Sequence, residues 1–263
     1  MGAPLFFVIA RVVSRDGALE KGRRKERTPI ECANVLNDLS FLIAQWREVL
    51  AGLCKVSKTE RYSNSYYWGH DLDGETDTLW GLEGYYHATG FFLDHVSSDE
   101  FKAEMRKVDD AKLLRTVQGI GSPDYDLRYY DLFGGFLTRK DDPDRDRQDS
   151  FVCVVHFSAV EGARKQLLGI AADGADLVEA TAGNGVAPFG AVQSFAVLKE
   201  VNDLSLVSLY VRTRSQEAWE ALEASDIFQR LLDHVKPITT KTEKHRSQAF
   251  IGHINQDCLT RAL

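Results

Sequence analysis

Cysteine is scarce and scattered: Cys32, Cys54, Cys153 and Cys258 are the four in 263 residues, and no two form a Cys-x-x-Cys pair. That spacing excludes a disulfide framework and a zinc knuckle, so the thiols read as reduced and buried, as in an intracellular protein. No His-x-x-x-His or His-Glu-x-x-His occurs, so no metal is expected. Basic charge is also short. A net charge of −7 lacks the cationic footprint that phosphate-backbone binding needs, which excludes nucleic acid as a partner. Long apolar runs are missing as well: Pro4 to Ala10 is far below a membrane span and carries no basic leader, so it reads as a strand of a cytoplasmic protein with no membrane partner. Gly183-Asn184-Gly185 lacks both the G-x-G-x-x-G spacing and a P-loop lysine, and reads as a turn.

What is present is a repeated pattern. Leu79 to Tyr85, then Phe91-Phe92 and His95, then Ser98-Asp99-Glu100-Phe101 is matched by Leu206 to Val211, then Trp219, then Ser225-Asp226-Ile227-Phe228. Ser98 and Ser225 are 127 positions apart, and the same offset sets Leu79 on Leu206, Leu82 on Leu209, Glu83 on Tyr210, Phe92 on Trp219 and His95 on Leu222. Two copies of one small α+β unit are expected, each burying a sheet face that it cannot cover alone.

The rest of the chain fits that division. Leu5 to Val13 and Phe151 to Phe157 are near-continuous apolar runs, the sign of strands covered on both faces. After the first, a basic loop at Arg23 to Arg27 leads to Thr28-Pro29-Ile30-Glu31, a capping box that opens a helix whose apolar stripe runs from Cys32 to Leu50. In the second half Ser158 to Glu161 reads as the cap of a helix with Leu167, Leu168 and Ile170 on its apolar side. Further strands are expected near 55–70, 78–86 and 127–137, and near 176–181, 191–200, 204–211 and 247–254. Second helices are expected near 89–116 and 215–235. Arg139 to Ser150 is almost wholly polar and contains Pro143, the composition of a solvated linker. The order in each half is β-α-β-β-α-β. The fold class is therefore α+β, with two tandem ferredoxin-like units at 1–139 and 150–263 and a linker at 140–149.

The stretch Trp80-Gly81-Leu82-Glu83-Gly84-Tyr85, Phe91-Phe92-Leu93-Asp94-His95 and Ser98 to Phe101 resembles the antibiotic-biosynthesis monooxygenase group of the dimeric α/β-barrel superfamily. The resemblance implies two units packed sheet to sheet as an α/β barrel, each with a pocket between sheet and helices; a tandem chain would supply both, and a homodimer of such chains is allowed. It covers most of the chain in element order but only Trp80 to Phe101 in specific residues. Haem-degrading relatives carry an Asn on the first strand and a Trp and a His on the second helix; Ala10 or Arg11, His95 and Met105 stand at those places, which disfavours haem degradation of that kind.

The residues that carry chemistry cluster in the first half. His95 precedes a helix cap and is suited to accept a phenol or enol proton, or to make a structural bond to the adjacent turn. Glu83 and Tyr85 share one strand face and could orient His95, or pair structurally. Trp80 is a candidate pocket wall, but its parity sets it opposite Glu83 unless a bulge intervenes. Arg11 and His156 end the two apolar strands at matching places, where each could hold a substrate oxyanion or reach solvent. Tyr66 and Trp68 offer aromatic walls for a flat ligand and Asn64 a hydrogen bond to a carbonyl, although barrel packing accounts for the same composition.

With no flavin, haem or metal motif, the leading expectation is a cofactor-independent enzyme of secondary or aromatic metabolism. Such an enzyme oxygenates a small phenolic or polyketide-type substrate after removing a proton. A non-oxidative cyclase, isomerase or decarboxylase, a non-catalytic ligand-binding or assembly module, and a haem-binding tandem protein with His156 or His234 as axial ligand are the alternatives.

Overall fold

The protein is described by a computed structural model covering residues 5–15, 45–74, 77–183 and 185–255. The basic loop at Arg23 to Arg27, the capping box at Thr28 to Glu31, Cys32 and Cys258 lie outside the described residues. The first unit runs β1 (Phe6–Val13), a helix α1 through 45–59, β2 (Ser63–Asp71), β3 (Thr78–Tyr85), a π-helix (Gly90–His95), α2 (Asp99–Asp110) and β4 (Tyr125–Phe136). The second runs β5 (Phe151–Ala159), α3 (Arg164–Ala182), β6 (Val192–Glu200), β7 (Leu206–Thr213), α4 (Gln216–Glu223), α5 (Asp226–Val235) and β8 (Thr239–His253).

The eight strands of the described residues join in one closed barrel in the order β1-β3-β2-β8-β5-β7-β6-β4, every pairing antiparallel. The two sheets therefore also bond edge to edge, through β2 with β8 and β4 with β6. Closure removes the exposed edges that an open sheet would present. The apolar strands β1 and β5 are central in their sheets, flanked by β3 and β4 and by β7 and β8.

Strand parity then divides the side chains. Phe7, Ile9, Leu82, Val154, Leu198 and Tyr210 fill the barrel interior, while Val12, Leu79, Val155, Leu209 and Val211 face the helices. The repeated Ser-Asp-x-Phe is a helix N-cap: Ser98 Oγ accepts from the Phe101 N–H at 3.1 Å and Ser225 Oγ from the Phe228 N–H at 3.3 Å. The Asp that follows complements the helix dipole, and each Phe turns into the core.

Four expectations change, the first being that residues 55–59 continue α1 and are not part of a strand. Residues 176–181 lie inside α3, because Leu167, Leu168, Ala171, Ala175 and Val178 continue a helical stripe that a short window reads as a strand. That helix starts at Arg164 on Ala163 without a side-chain cap, so Ser158 to Glu161 is not its capping box; Ser158 belongs to β5. The segment between β4 and β5 is exposed over most of 140–149, as expected, but it is also tied to the barrel at a few points. Arg139, Asp142 and Ser150 are buried, Arg214 pairs with Asp142 at 2.6 Å and Asp144 at 2.8 Å, and the Tyr67 hydroxyl donates to the Arg147 carbonyl at 2.7 Å. Asp142 and Asp144 thus have a partner from the loop after β7, which composition alone does not reveal.

Candidate active site

The helix-facing side of the first sheet carries a cavity of about 270 Å³. Its floor is a grid set by strand register. Tyr129, Val8, Glu83 and Tyr66 form one row, Leu127, Ala10, Gly81 and Trp68 the next, and Tyr125 and Val12 open a third. Rows two residues apart are separated by about 6.6–6.8 Å along the strands. The middle row is shallow because Ala10 and Gly81 are small: a Cβ on Gly81 would meet the Trp68 indole at 2.4 Å, so the glycine lets the ring lie across β3. Trp46, Leu50 and Leu53 of α1, Phe91 and Phe92 of the π-helix, and Phe101 and Met105 of α2 close the cavity from above.

Glu83 is the sole carboxylate among the described residues that line the cavity. Its Oε2 accepts a hydrogen bond from the Tyr85 hydroxyl at 2.9 Å and lies 3.9 Å from His95 Nε2. His95, fully buried as the last residue of the π-helix, reaches Glu60 through Nδ1 at 2.8 Å. The chain Glu60, His95, Glu83, Tyr85 thus runs from the end of α1 to the cavity wall. Burial raises the Glu83 carboxyl above the usual carboxylate range, against the pull of His95 and Tyr85. For His95, burial works against the charged form, but the Glu60 hydrogen bond and the Glu83 and Glu60 charges prevail and the imidazole is raised. Tyr66 and Tyr85 are raised well above normal by burial and the nearby Glu83, so they remain neutral donors. The Tyr66 hydroxyl, Trp68 Nε1 and the Tyr125 hydroxyl are buried, line the cavity and have no hydrogen-bond partner among the described residues. Such atoms are normally satisfied, so the wall carries donors for a ligand's oxygen atoms.

Sequence reasoning brings Glu83, Tyr85, His95, Tyr66 and Trp68 together. Arg11 and Trp80 face the barrel interior instead, since no bulge intervenes between Trp80 and Glu83. Asn64 turns away: its Oδ1 accepts from Ser65 at 2.7 Å and its Nδ2 contacts Asn255 at 3.4 Å. Glu60 was not legible as a site residue, its partner being 35 positions away. The one signal is that it directly follows α1, where the negative end of a helix disfavours an acid.

Among the described residues the second unit has no counterpart of this chemistry. Phe195, Trp219, Leu222, Phe228 and Leu231 pack the corresponding space, and a Cβ on Gly174 of α3 would meet Leu231 at 2.3 Å. Leu222 precedes its cap as His95 does. The match of Glu83 with Tyr210 is corrected by parity, because Tyr210 faces the barrel interior. Setting Phe6 on Phe151 puts Val8 on Cys153, whose partner is Val211, so Glu83 corresponds to helix-facing Val211. That register leaves the first unit one residue longer between strand and cap. The surplus falls where the first unit has a π-helix and the second the α-helix α4. A π-turn inside a helix often marks a functional site.

No described protein family matches the sequence, and no curated protein does. Solved structures match over the whole chain. A candidate monooxygenase from Fusobacterium nucleatum subsp. nucleatum is similar with a TM-score of 0.67 at 10% identity, covering 98% of both chains. A candidate monooxygenase from Lactobacillus acidophilus gives 0.65 at 10% identity, over 97% of this chain and 100% of its own. The chain shares the fold of these candidate monooxygenases. An anthrone oxidase-like protein shares it at a TM-score of 0.54 and 13% identity, over 99% of this chain and 97% of its own. The resemblance read from Trp80 to Phe101 thus extends to the whole chain at the level of the fold. Among the described residues no helix is long and apolar enough to cross a membrane, and no group of three or more His, Cys, Asp or Glu could hold a metal ion.

Proposed function

We propose that the first-unit cavity binds a flat phenolic or polyketide-type molecule and deprotonates it, so that it reacts with dioxygen without a metal or flavin. The observation that carries this reading is Glu83, a buried carboxylate of raised pKa facing an otherwise apolar aromatic cavity and backed by His95 and Glu60. In this reading the base role expected of His95 passes to Glu83, because Glu83 alone of the two lines the cavity. Glu83 takes the proton from an activated C–H or O–H, its raised pKa making it a stronger base than an ordinary carboxylate. His95, held by Glu60, is the positioning residue that sets the charge beside it. Tyr66, Trp68 and Tyr125 donate to the substrate oxygens, the role expected of Arg11 and Asn64.

For a substrate with an activated methylene the step balances as R₂CH₂ + O₂ → R₂C=O + H₂O. The carbanion passes one electron to dioxygen, the radical pair joins as a C–OO⁻ peroxide, Glu83 returns the proton, and loss of water leaves the carbonyl. The protein's work is to orient, deprotonate and exclude bulk water. The neighbours described as candidate monooxygenases and as anthrone oxidase-like agree with an oxygenation of this type.

The test uses an anthrone as probe with protein stripped of metal and flavin. One O₂ should be consumed per carbonyl formed, Glu83→Gln should lose about 10²–10⁴ in rate while staying folded, and Tyr210→Phe should change little. Conversion without oxygen uptake would replace this reading with a cyclase or isomerase, and tight binding without turnover with a ligand-binding module.

A further inference from the structure

The cavity beside Glu83 is a slot with one open side. Across its floor the strands lie in the order β4, β1, β3, β2. On β2 the floor is sealed, Tyr66 and Trp68 being buried, whereas Tyr125, Leu127 and Tyr129 on β4 are each partly exposed. The lining residues above that edge are exposed as well. Phe92, whose ring lies 5.4 Å from that of Tyr129, is 46% exposed, and Ile120, in the loop that leads into β4, is 59% exposed. Leu93, next to Phe92 on the π-helix, is 67% exposed. We propose, on the reading that Glu83 is the base, that the substrate carries an apolar chain on the side away from its acidic group, and that Phe92, Leu93 and Ile120 seat that chain outside the slot.

Strand spacing sets the depth. Glu83 stands on β3, two strands in from β4, which is about 9–10 Å from the open edge. A ring whose acidic group meets Glu83 therefore fills the slot back toward β4, and whatever the ring carries on its far side comes out at the rim. Polarity orders the slot in the same direction. The Tyr66 hydroxyl and Trp68 Nε1, both buried and without a hydrogen-bond partner among the described residues, stand on β2 behind Glu83. Oxygen atoms are thus held at the deep end and carbon at the open one. Tyr125, the third such donor, is on β4 but two rows from Tyr129, so a chain leaving in the row of Glu83 does not pass it.

The rim matches an apolar chain. Among the described residues Glu83 is the one charged group lining the slot, and Phe92, Leu93 and Ile120 bring neither charge nor side-chain donor. A sugar or phosphate there gains no partner in place of water. Apolar side chains exposed singly need no explanation, but Phe92 and Ile120 both line the cavity and Leu93 adjoins one of them, so the exposed surface continues the lining outward. An alkyl chain laid on it removes apolar surface of both partners from water. Because the rim covers the chain from one side, each methylene there counts for between half and all of a buried one.

The experiment titrates the full chain, ¹³C-labelled at histidine and kept free of oxygen, with 4-methylphenol, 4-hexylphenol and 2-hexylphenol, reading the His95 signal by NMR and the dissociation constant by calorimetry. Each added methylene should tighten binding about twofold to fourfold, so 4-hexylphenol should bind roughly 30- to 1,000-fold more tightly than 4-methylphenol. In Ile120→Ser that gain should shrink roughly 3- to 10-fold, and Phe92→Ser should act in the same direction. The 2-hexyl isomer, whose chain leaves the ring beside the hydroxyl and meets the sealed side, should show none of the gain. If the methyl and 4-hexyl compounds bind alike while each moves His95, the chain is overturned and Glu83 keeps its role; if no phenol moves His95, both readings fall. Equal gain from the two hexyl isomers would also overturn the chain. So would a dimer that Ile120→Ser dissociates in the absence of any gain with chain length, which would give the rim to a second copy of the protein.

Discussion

Replacing Glu83 with Gln is the most informative single perturbation, because it changes charge and almost nothing else. The amide oxygen can still accept from the Tyr85 hydroxyl, now 2.9 Å from Oε2, and the volume is kept. Losing a general base costs about 10²–10⁴ in rate, or roughly 3–5 kcal/mol of activation free energy. Stability moves independently, and its sign follows from linkage. The Glu83 carboxyl is raised in the fold above 4.5, so its contribution is favourable at low pH and is lost as pH climbs from about 4.5 through the raised value. His95 is raised above 6.5, so its contribution is fully present below 6.5 and is lost as pH passes its folded value. At high pH the wild type therefore holds a buried carboxylate beside a neutral imidazole, whereas the Gln variant holds none at that position. Melting temperature measured from pH 5 to pH 9 should shift in favour of Glu83→Gln as pH rises. Only between about 4.5 and the raised value does Glu83 contribute, and there each tenfold change in acidity is worth at most about 1.4 kcal/mol, on the order of 3–5 °C for a chain of this size. Near-full turnover in Glu83→Gln, or a uniform fall in its melting temperature at every pH, would refute the reasoning.

Deleting Leu93, an exposed residue of the π-helix, should let that turn revert to the α-helical form of α4, keeping His95 at the place Leu222 holds before its cap and turning Phe91 and Phe92 by about 100° relative to it. Circular dichroism should show an intact fold and the KM for an anthrone should rise, because both rings close the cavity; an unchanged KM would contradict the assignment of the extra residue. Gly81→Ala should push the Trp68 indole out of its place across β3, costing about 1–3 kcal/mol in denaturant melts and raising KM more than it lowers kcat. An unchanged KM would show that the middle row of the floor does not meet substrate.

Much of the fold is legible in the sequence because its signals are local. The apolar runs of β1 and β5 mark central strands, and Ser-Asp-x-Phe marks the caps of α2 and α5. The misread segments depend on distant partners. Residues 176–181 look strand-like until the stripe from Leu167 to Val178 is followed, and the polar segment after β4, exposed as expected, shows no sign in its composition of the contacts that Arg212 of β7 and Arg214 of the loop after it make with it. The site divides in the same way. Period-two alternation places Glu83 and Tyr85 on one face and Trp80 on the other. Glu60 escapes because only tertiary packing brings the end of α1 to His95, and the pairing of Glu83 with Tyr210 fails because one added residue in the π-helix reverses strand parity without disturbing the Ser caps.

The central claim, deprotonation by Glu83 inside the first-unit cavity, is tested most directly by the absorption spectrum of a bound anthrone or phenolic probe under anaerobic conditions. At a pH below the probe's own pKa, the wild-type protein should produce the red-shifted spectrum of the anion and Glu83→Gln that of the neutral molecule. A neutral spectrum with the wild type while oxygen consumption proceeds on admitting air, or an anion spectrum with both proteins, would contradict the account.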